Sequence, residues 1–135
     1  MAGFKGRDRC NEILDFNLGN GTPATLYIAL FTSAPSATGG GTEVTGGSYA
    51  RVAKTNNATN FPAASGSSKS SGTDFDFGTA SADWGIVTWA AVVETASGAL
   101  GAGDIVYAGP LTTPRTVLNG DSFKIPSAGA VFTEA

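Results

Sequence analysis

Two aspartates two residues apart, Asp74 and Asp76 in the stretch DFDF, are the first candidates for chemistry in this sequence. On a strand, positions i and i+2 share a face, so both carboxylates would point one way and Phe75 and Phe77 the other. Paired acids can divide general acid and base roles. A glycosidase needs its second acid across a cleft. Asp83, Glu94 and Asp104 are available, but no spacing pairs them with either aspartate. Loop carbonyls could complete a calcium site around such a pair, yet no EF-hand spacing is present. A solvated face over a buried one is the simpler reading. The chain has no histidine. That removes the commonest general base and the Ser-His-Asp arrangement. With Cys10 as the single cysteine, a zinc site has no ligands and an internal disulfide has no second half. Cys10 reads as a small buried hydrophobe.

The glycine clusters, Gly39–Gly41 and Gly46–Gly47, match neither GxxxxGK[ST] nor GxGxxG, so they are flexible segments and not phosphate loops. Trp84, Trp89, Tyr27, Tyr49 and Tyr107 are the residues that could stack on a sugar ring. For the two tryptophans, burial in apolar strands is the stronger reading. Asn20-Gly21-Thr22 and Asn57-Ala58-Thr59 match the glycosylation pattern, which means little without a secretory signal. No catalytic, cofactor-binding or metal-ligating residue is expected, and the protein is not expected to be an enzyme.

The elements that would position these residues follow from periodicity. Residues 7–18 predict a three-turn helix with Cys10, Ile13, Leu14 and Leu18 as one apolar stripe. Gly19 and Pro23 stop it. Thr25–Phe31 predicts a strand whose two faces, Leu26/Ile28/Leu30 and Tyr27/Ala29/Phe31, are both apolar and so both covered. Further strands are predicted at Tyr49–Lys54, Asp74–Phe77, Trp84–Glu94, Asp104–Ala108, Arg115–Leu118, Ser122–Ile125 and Ala130–Thr133. The separators include GPLTTP and the hairpin signal Asn119–Gly120. Long polar loops occupy 33–48 and 55–73, the second carrying the linker-like SGSSKSSG. Short strands with regular turn signals predict an all-β fold, a β-sandwich or jelly-roll-like domain of about eight strands with a short N-terminal helix. The expected division is a helical arm, 1–22, before a β-sandwich domain, 23–135.

Charge is scarce and unevenly placed. Charged residues make up 14% of the 135 residues, against about 25% in ordinary globular chains. Six of the nineteen charges lie in the first fifteen residues: Lys5, Arg7, Asp8, Arg9, Glu12 and Asp15. A sparsely charged, Ser/Thr-coated β body suits packing against neighbours. The net charge of −3 argues against nucleic acid as a partner. No run approaches the roughly 20 apolar residues of a membrane span, so no membrane partner is expected. No apolar leader of signal-peptide length opens the chain, and synthesis in the cytoplasm of the expressing cell is the expectation.

Four stretches, LYIALFTSAP (26–35), GGGTEVTGGSYARV (39–52), DWGIVTWAAVVETASG (83–98) and YAGPLTTPRTVLNGDSFKIP (107–126), together resemble a family of small phage virion proteins commonly labelled phage tail fibre proteins. They run in order and span about half the chain. The resemblance implies a component of the phage particle with a compact β domain, and no catalytic residue or cofactor. A fibre shaft needs a long repeat or a coiled coil, and the sequence has neither.

The expectation is therefore a non-enzymatic virion structural protein. A capsid decoration, or cement, protein stabilising neighbouring subunits is the leading form. A tail fibre or baseplate component in host attachment, with glycan binding as one route, is the alternative. Assembly in the host cytoplasm, other phage structural proteins as partners and a homo-oligomer, with three copies the expected count, complete the reading. The assembly contacts are expected from Arg7, Arg9, Glu12 and Asp15 in the arm, from Glu43 and Val44 in the first loop, and from Arg51 and Arg115 in neutral strands. Each strand arginine has two options, pairing with an acid such as Glu43 or Asp121 or reaching across a subunit boundary.

Overall fold

The computed structural model describes residues 6–21 and 23–133. Lys5 of the arm, Thr22 of the first glycosylation pattern and the last residue of the expected body, Ala135, lie outside the described residues. The fold is all-β with one short N-terminal helix, as predicted. After α1 (Arg7–Asn17) come β1 (Thr25–Ser33), β2 (Thr42–Glu43), β3 (Val52–Thr55), β4 (Ser68–Ser70), β5 (Phe75–Thr79), β6 (Gly85–Val93), β7 (Ile105–Val117), β8 (Ser122–Ile125) and β9 (Val131–Thr133). Both long polar loops therefore contain a short strand.

The chain divides into two compact units, each assembled from separated segments. One unit joins Leu26–Lys54 to Phe75–Lys124. Its five-stranded sheet runs β2-β1-β6-β7, with β3 also on β1, and its second sheet is the ribbon β5-β8. β1 and β6 pair antiparallel from Tyr27↔Val93 to Phe31↔Trp89. On one face Ala29, Phe31, Ala91 and Val93 form a buried cluster, with Tyr27, Trp89, Leu100, Ile105 and Ala108 packed around it. Leu26, Ile28 and Leu30 are buried on the other face. The two apolar faces of β1 thus both find cover, as their alternation requires.

Two strand expectations change. The prediction of separate strands at 104–108 and 115–118 gives way to a single long β7. Its pairing with β6 jumps from Val87↔Arg115 to Trp89↔Pro110. Leu111–Pro114 forms an excursion opposite Thr88, because prolines cannot donate to a ladder and settle at bulges. Asn119–Gly120 does not make a β7-β8 hairpin either. Asp121 closes the turn by donating its N–H to the Leu118 carbonyl at 2.9 Å. Gly120 N–H then donates to Ala80 O and Ala80 N–H to Asp121 O, both at 2.8 Å. These bonds hand the chain to β5, which β8 pairs instead.

Close approach of backbone to backbone requires glycine at Gly39. Its φ is +101°, and a Cβ there would lie 2.1 Å from Leu100 O. Gly39 and Ser36 exchange backbone hydrogen bonds at 2.7 and 3.0 Å, and Gly39 also bridges Gly101. Gly39→Ala is expected to destabilise this unit by about 1–2 kcal/mol, through left-handed strain plus the collision. A urea midpoint equal to wild type would show that the turn relaxes freely.

The other unit joins the segments ending at Thr25, running Thr55–Asp74 and beginning at Ile125. Its strands are the antiparallel ribbon β4-β9, Ser68↔Thr133 to Ser70↔Val131, and α1 lies along β4. Gly6 caps α1 without a side-chain bond, and Asp8 places an acid in the first turn, where the helix dipole favours it. The helix closes with Leu18 N–H donating to Leu14 O at 2.9 Å, and Gly19 turns away at φ +104°. Cys10, Leu14 and Leu18 are buried. Ile13, predicted on the same stripe, is only half-buried. It lies toward the outer side of the helix, since the inner positions are taken by Cys10, Asn11, Leu14 and Asp15. Among the described residues no helix is long and apolar enough to cross a membrane.

Candidate functional site

Of its two options, Arg51 takes the partner inside the chain. Nε donates to Glu43 Oε1 at 2.8 Å and Nη2 to Glu43 Oε2 at 2.7 Å, a bidentate pair. Nη1 donates to Thr95 O and Thr95 Oγ1 at 2.9 and 3.0 Å, and Nη2 also to Gly98 O at 2.6 Å. All five guanidinium N–H groups thereby have acceptors. Tyr49 completes the cluster. Its hydroxyl donates to Glu43 Oε1 at 2.8 Å and accepts the Leu30 N–H at 2.9 Å. The elements explain the convergence. Tyr49 and Arg51 are two apart on the segment entering β3, β2 carries Glu43, and Thr95 follows the end of β6. Val44, buried beside them, extends the pairing of β2 by donating its N–H to Leu30 O at 3.0 Å. Hydrogen bonding to Glu43 outweighs burial and raises the Arg51 pKa. Burial, reinforced by the Glu43 carboxylate, pushes the Tyr49 phenol well above its usual range. The cluster is a locked brace in which every guanidinium N–H and the phenol hydroxyl already have partners.

A second cluster lies in the helix-bearing unit. The Lys69 ammonium on β4 is 1% exposed. It donates to Leu18 O at the C-terminus of α1, to Phe61 O at 3.3 Å and to Asp15 Oδ1 at 2.9 Å. Three N–H groups meet three acceptors, and a cation at a helix C-terminus is favoured by the dipole. Asp15 Oδ1 also accepts the Ala64 N–H at 2.8 Å, and Asn11 Oδ1 accepts the Ser67 N–H at 2.8 Å. Buried Asn56 accepts the Gly19 N–H and donates to Pro23 O at 3.0 Å. Burial opposes ionisation of Asp15, but Lys69 and the Ala64 N–H outweigh it and hold the carboxyl below its ordinary value.

The remaining expected contact residues are exposed. Arg9 and Glu12 pair at 2.9 Å along the outer side of α1, and Arg7 lies at its start. Arg115 finds not Asp121 but Ser122 O, at 3.0 Å, with its guanidinium 5.5 Å from the Phe123 ring centroid. The structure thus groups Glu43, Val44 and Arg51 in one unit and places Arg7, Arg9, Glu12 and Asp15 on one helix. Sequence reading missed Tyr49 and Lys69 as partners. Tyr49 was findable as the i−2 neighbour of Arg51 on one strand face.

The aspartates proposed for chemistry serve the backbone. Asp74 accepts the Ser127 N–H at 2.7 Å, Asp76 that of Gly78 at 2.8 Å and Asp83 that of Asn119 at 2.8 Å. Asp104 accepts from Gly101 at 2.7 Å and Asp121 from Leu118 at 2.9 Å. Every aspartate from Asp15 onward therefore holds a turn or a segment in place, using the Asx chemistry of loops. Among the described residues no three of Cys, Asp or Glu gather as metal ligands. Trp84 is buried, donates Nε1–H to Gly47 O at 3.0 Å and meets Tyr49 edge-on at 5.6 Å, while Tyr49 also stacks on Phe77 at 6.1 Å. These aromatic faces are spent on packing.

The family model described as "Podophage GP4 fiber I protein gp80" matches residues 10–133, nearly the whole chain. A search of curated proteins finds no match. The chain belongs to the podophage GP4 fiber I protein family, and so is a structural component of the phage virion that associates with other phage structural proteins.

Proposed function

We propose that this fibre-family protein is a non-enzymatic fibre component of the podophage tail, assembled in the host cytoplasm and carried as a homo-oligomer on the particle. The observation that carries the reading is the family match across residues 10–133. It favours the tail over capsid decoration, the leading expectation from a compact globule without a shaft. Physical chemistry supports a passive, rigid role. Aspartates are tied to backbone N–H groups, and the cluster around Arg51 has no free donor. Contacts to neighbours fall to exposed groups, namely Arg7, Arg9 and Glu12 on α1 and Arg115 on β7. Glu43, Val44 and Arg51 hold the strands of their own unit together, and Asp15 ties α1 to β4 through Lys69. The units are joints that hold shape, and their exposed side chains set register with the next subunit.

Immunogold electron microscopy of intact phage, with antibody against the recombinant chain, tests the location. Gold confined to the tail is the expected result. Gold spread over the head would replace this reading with capsid decoration.

A further inference from the structure

The outer face of α1 leaves an aromatic ring and an ion pair in solvent. At about 100° per residue, Arg9, Glu12, Ile13 and Phe16 share one arc, opposite the packed side formed by Cys10, Asn11, Leu14 and Asp15. The four line a shallow depression. Phe16 is 72% exposed, the most exposed of the large apolar residues described, and it shares this strip with half-buried Ile13. The long edge of β7 is a poorer docking site. Pro110 and Pro114 interrupt it, which is how edge strands resist pairing.

We infer that this face pairs antiparallel, about a two-fold axis, with the same face of a second copy. The deciding observation is complementarity. One end of the face is the Arg9 cation and the other is the Phe16 ring, about 10 Å along the axis at 1.5 Å per residue. Antiparallel pairing lays each guanidinium on the phenyl ring of the second copy, a cation–π contact made twice by symmetry. Ile13 meets its counterpart at the two-fold. The Glu12 carboxylates approach each other there, each neutralised by its own Arg9 at 2.9 Å. A parallel two-fold arrangement would set Arg9 beside Arg9 and leave Phe16 without a cation. The face is small, so the contact is weak in solution and gains from the high local concentration of copies on a particle.

This inference rests on the homo-oligomer in the proposed function but is tested without the phage, so the two can fail separately. Sedimentation of the full-length chain from about 5 µM to 500 µM is expected to show mass rising toward two copies. Phe16→Ser should move the midpoint up by roughly tenfold or more, and Arg9→Glu should abolish association. Glu12→Gln should tighten it by removing the facing carboxylates. Circular dichroism of each variant checks that the fold is kept. Ile13→Cys, in a chain whose native Cys10 is buried, should form a disulfide-linked dimer on oxidation. A chain that stays monomeric throughout, sediments as three copies, or associates equally well as Phe16→Ser overturns the inference.

Discussion

Replacing Arg51 with alanine is expected to remove about 3–5 kcal/mol of stability, the usual effect of breaking a buried ion pair from one side. The Arg51 side chain is 3% exposed and that of Glu43 21%, so water can replace only part of what is lost. Glu43 keeps the Tyr49 hydroxyl but becomes an uncompensated charge, and the carbonyls of Thr95 and Gly98 lose their donor. Against a typical total of about 5–15 kcal/mol, this is a large share of the fold. Arg51→Lys should be nearly as harmful, because an ammonium cannot span Glu43, Thr95 and Gly98 with a planar fork. The double variant Arg51→Met with Glu43→Gln should recover at least half the loss. It removes both charges and leaves an amide oxygen for Tyr49. Urea midpoints of the four proteins provide the comparison. A loss below about 1 kcal/mol for Arg51→Ala would mean the pair behaves as an exposed one, and the brace would have to lie elsewhere.

That Arg51 and Glu43 are eight residues apart made their pairing visible as an option in the sequence. Choosing it over an inter-subunit role needed the positions of Thr95 and Gly98, 44 and 47 residues downstream, and no periodicity reports those. The strands that were legible are those whose burial repeats every second residue. β1 alternates two apolar sets, and β5 alternates Phe75 and Phe77 against Asp76. The helix was legible from its stripe and from Gly19, except for Ile13. Its spacing fits the inner set, but Asn11 and Asp15 occupy that side through hydrogen bonds to the 64–67 segment.

Polar strands were not legible. Ser68-Lys69-Ser70 has linker composition, and its strand character comes entirely from pairing with Val131–Thr133, more than sixty residues away. The division into two units was hidden for the same reason, since each is assembled from distant segments. The prolines of β7 marked a break correctly in local terms. An excursion and a strand end present the same local signal, and only the partner strand β6 distinguishes them.

Lys69 is the residue that composition disguised most completely, and its removal is the second large effect expected. Lys69→Met should cost about 3 kcal/mol, since it strips the donor from the carbonyls of Leu18 and Phe61 and from Asp15 at once. Asp15→Asn should cost only about 1 kcal/mol, because that carboxylate is 46% exposed and screened by water. The two variants then separate in acid. The Asp15 carboxyl lies below its ordinary 3.8 in the folded chain, so the unfolded chain binds its proton first as pH falls. Its contribution is complete above the unfolded value and is lost as pH drops below 3.8 through the folded value. Urea midpoints at about pH 7 and at a pH below 3.8 should therefore draw closer for wild type and Asp15→Asn at the lower pH. Lys69→Met should stay weaker than wild type at both, since the carbonyls it abandons do not titrate. An Asp15→Asn variant that remains equally destabilised in acid would show that the aspartate acts through packing and the Ala64 hydrogen bond, not through its charge on Lys69.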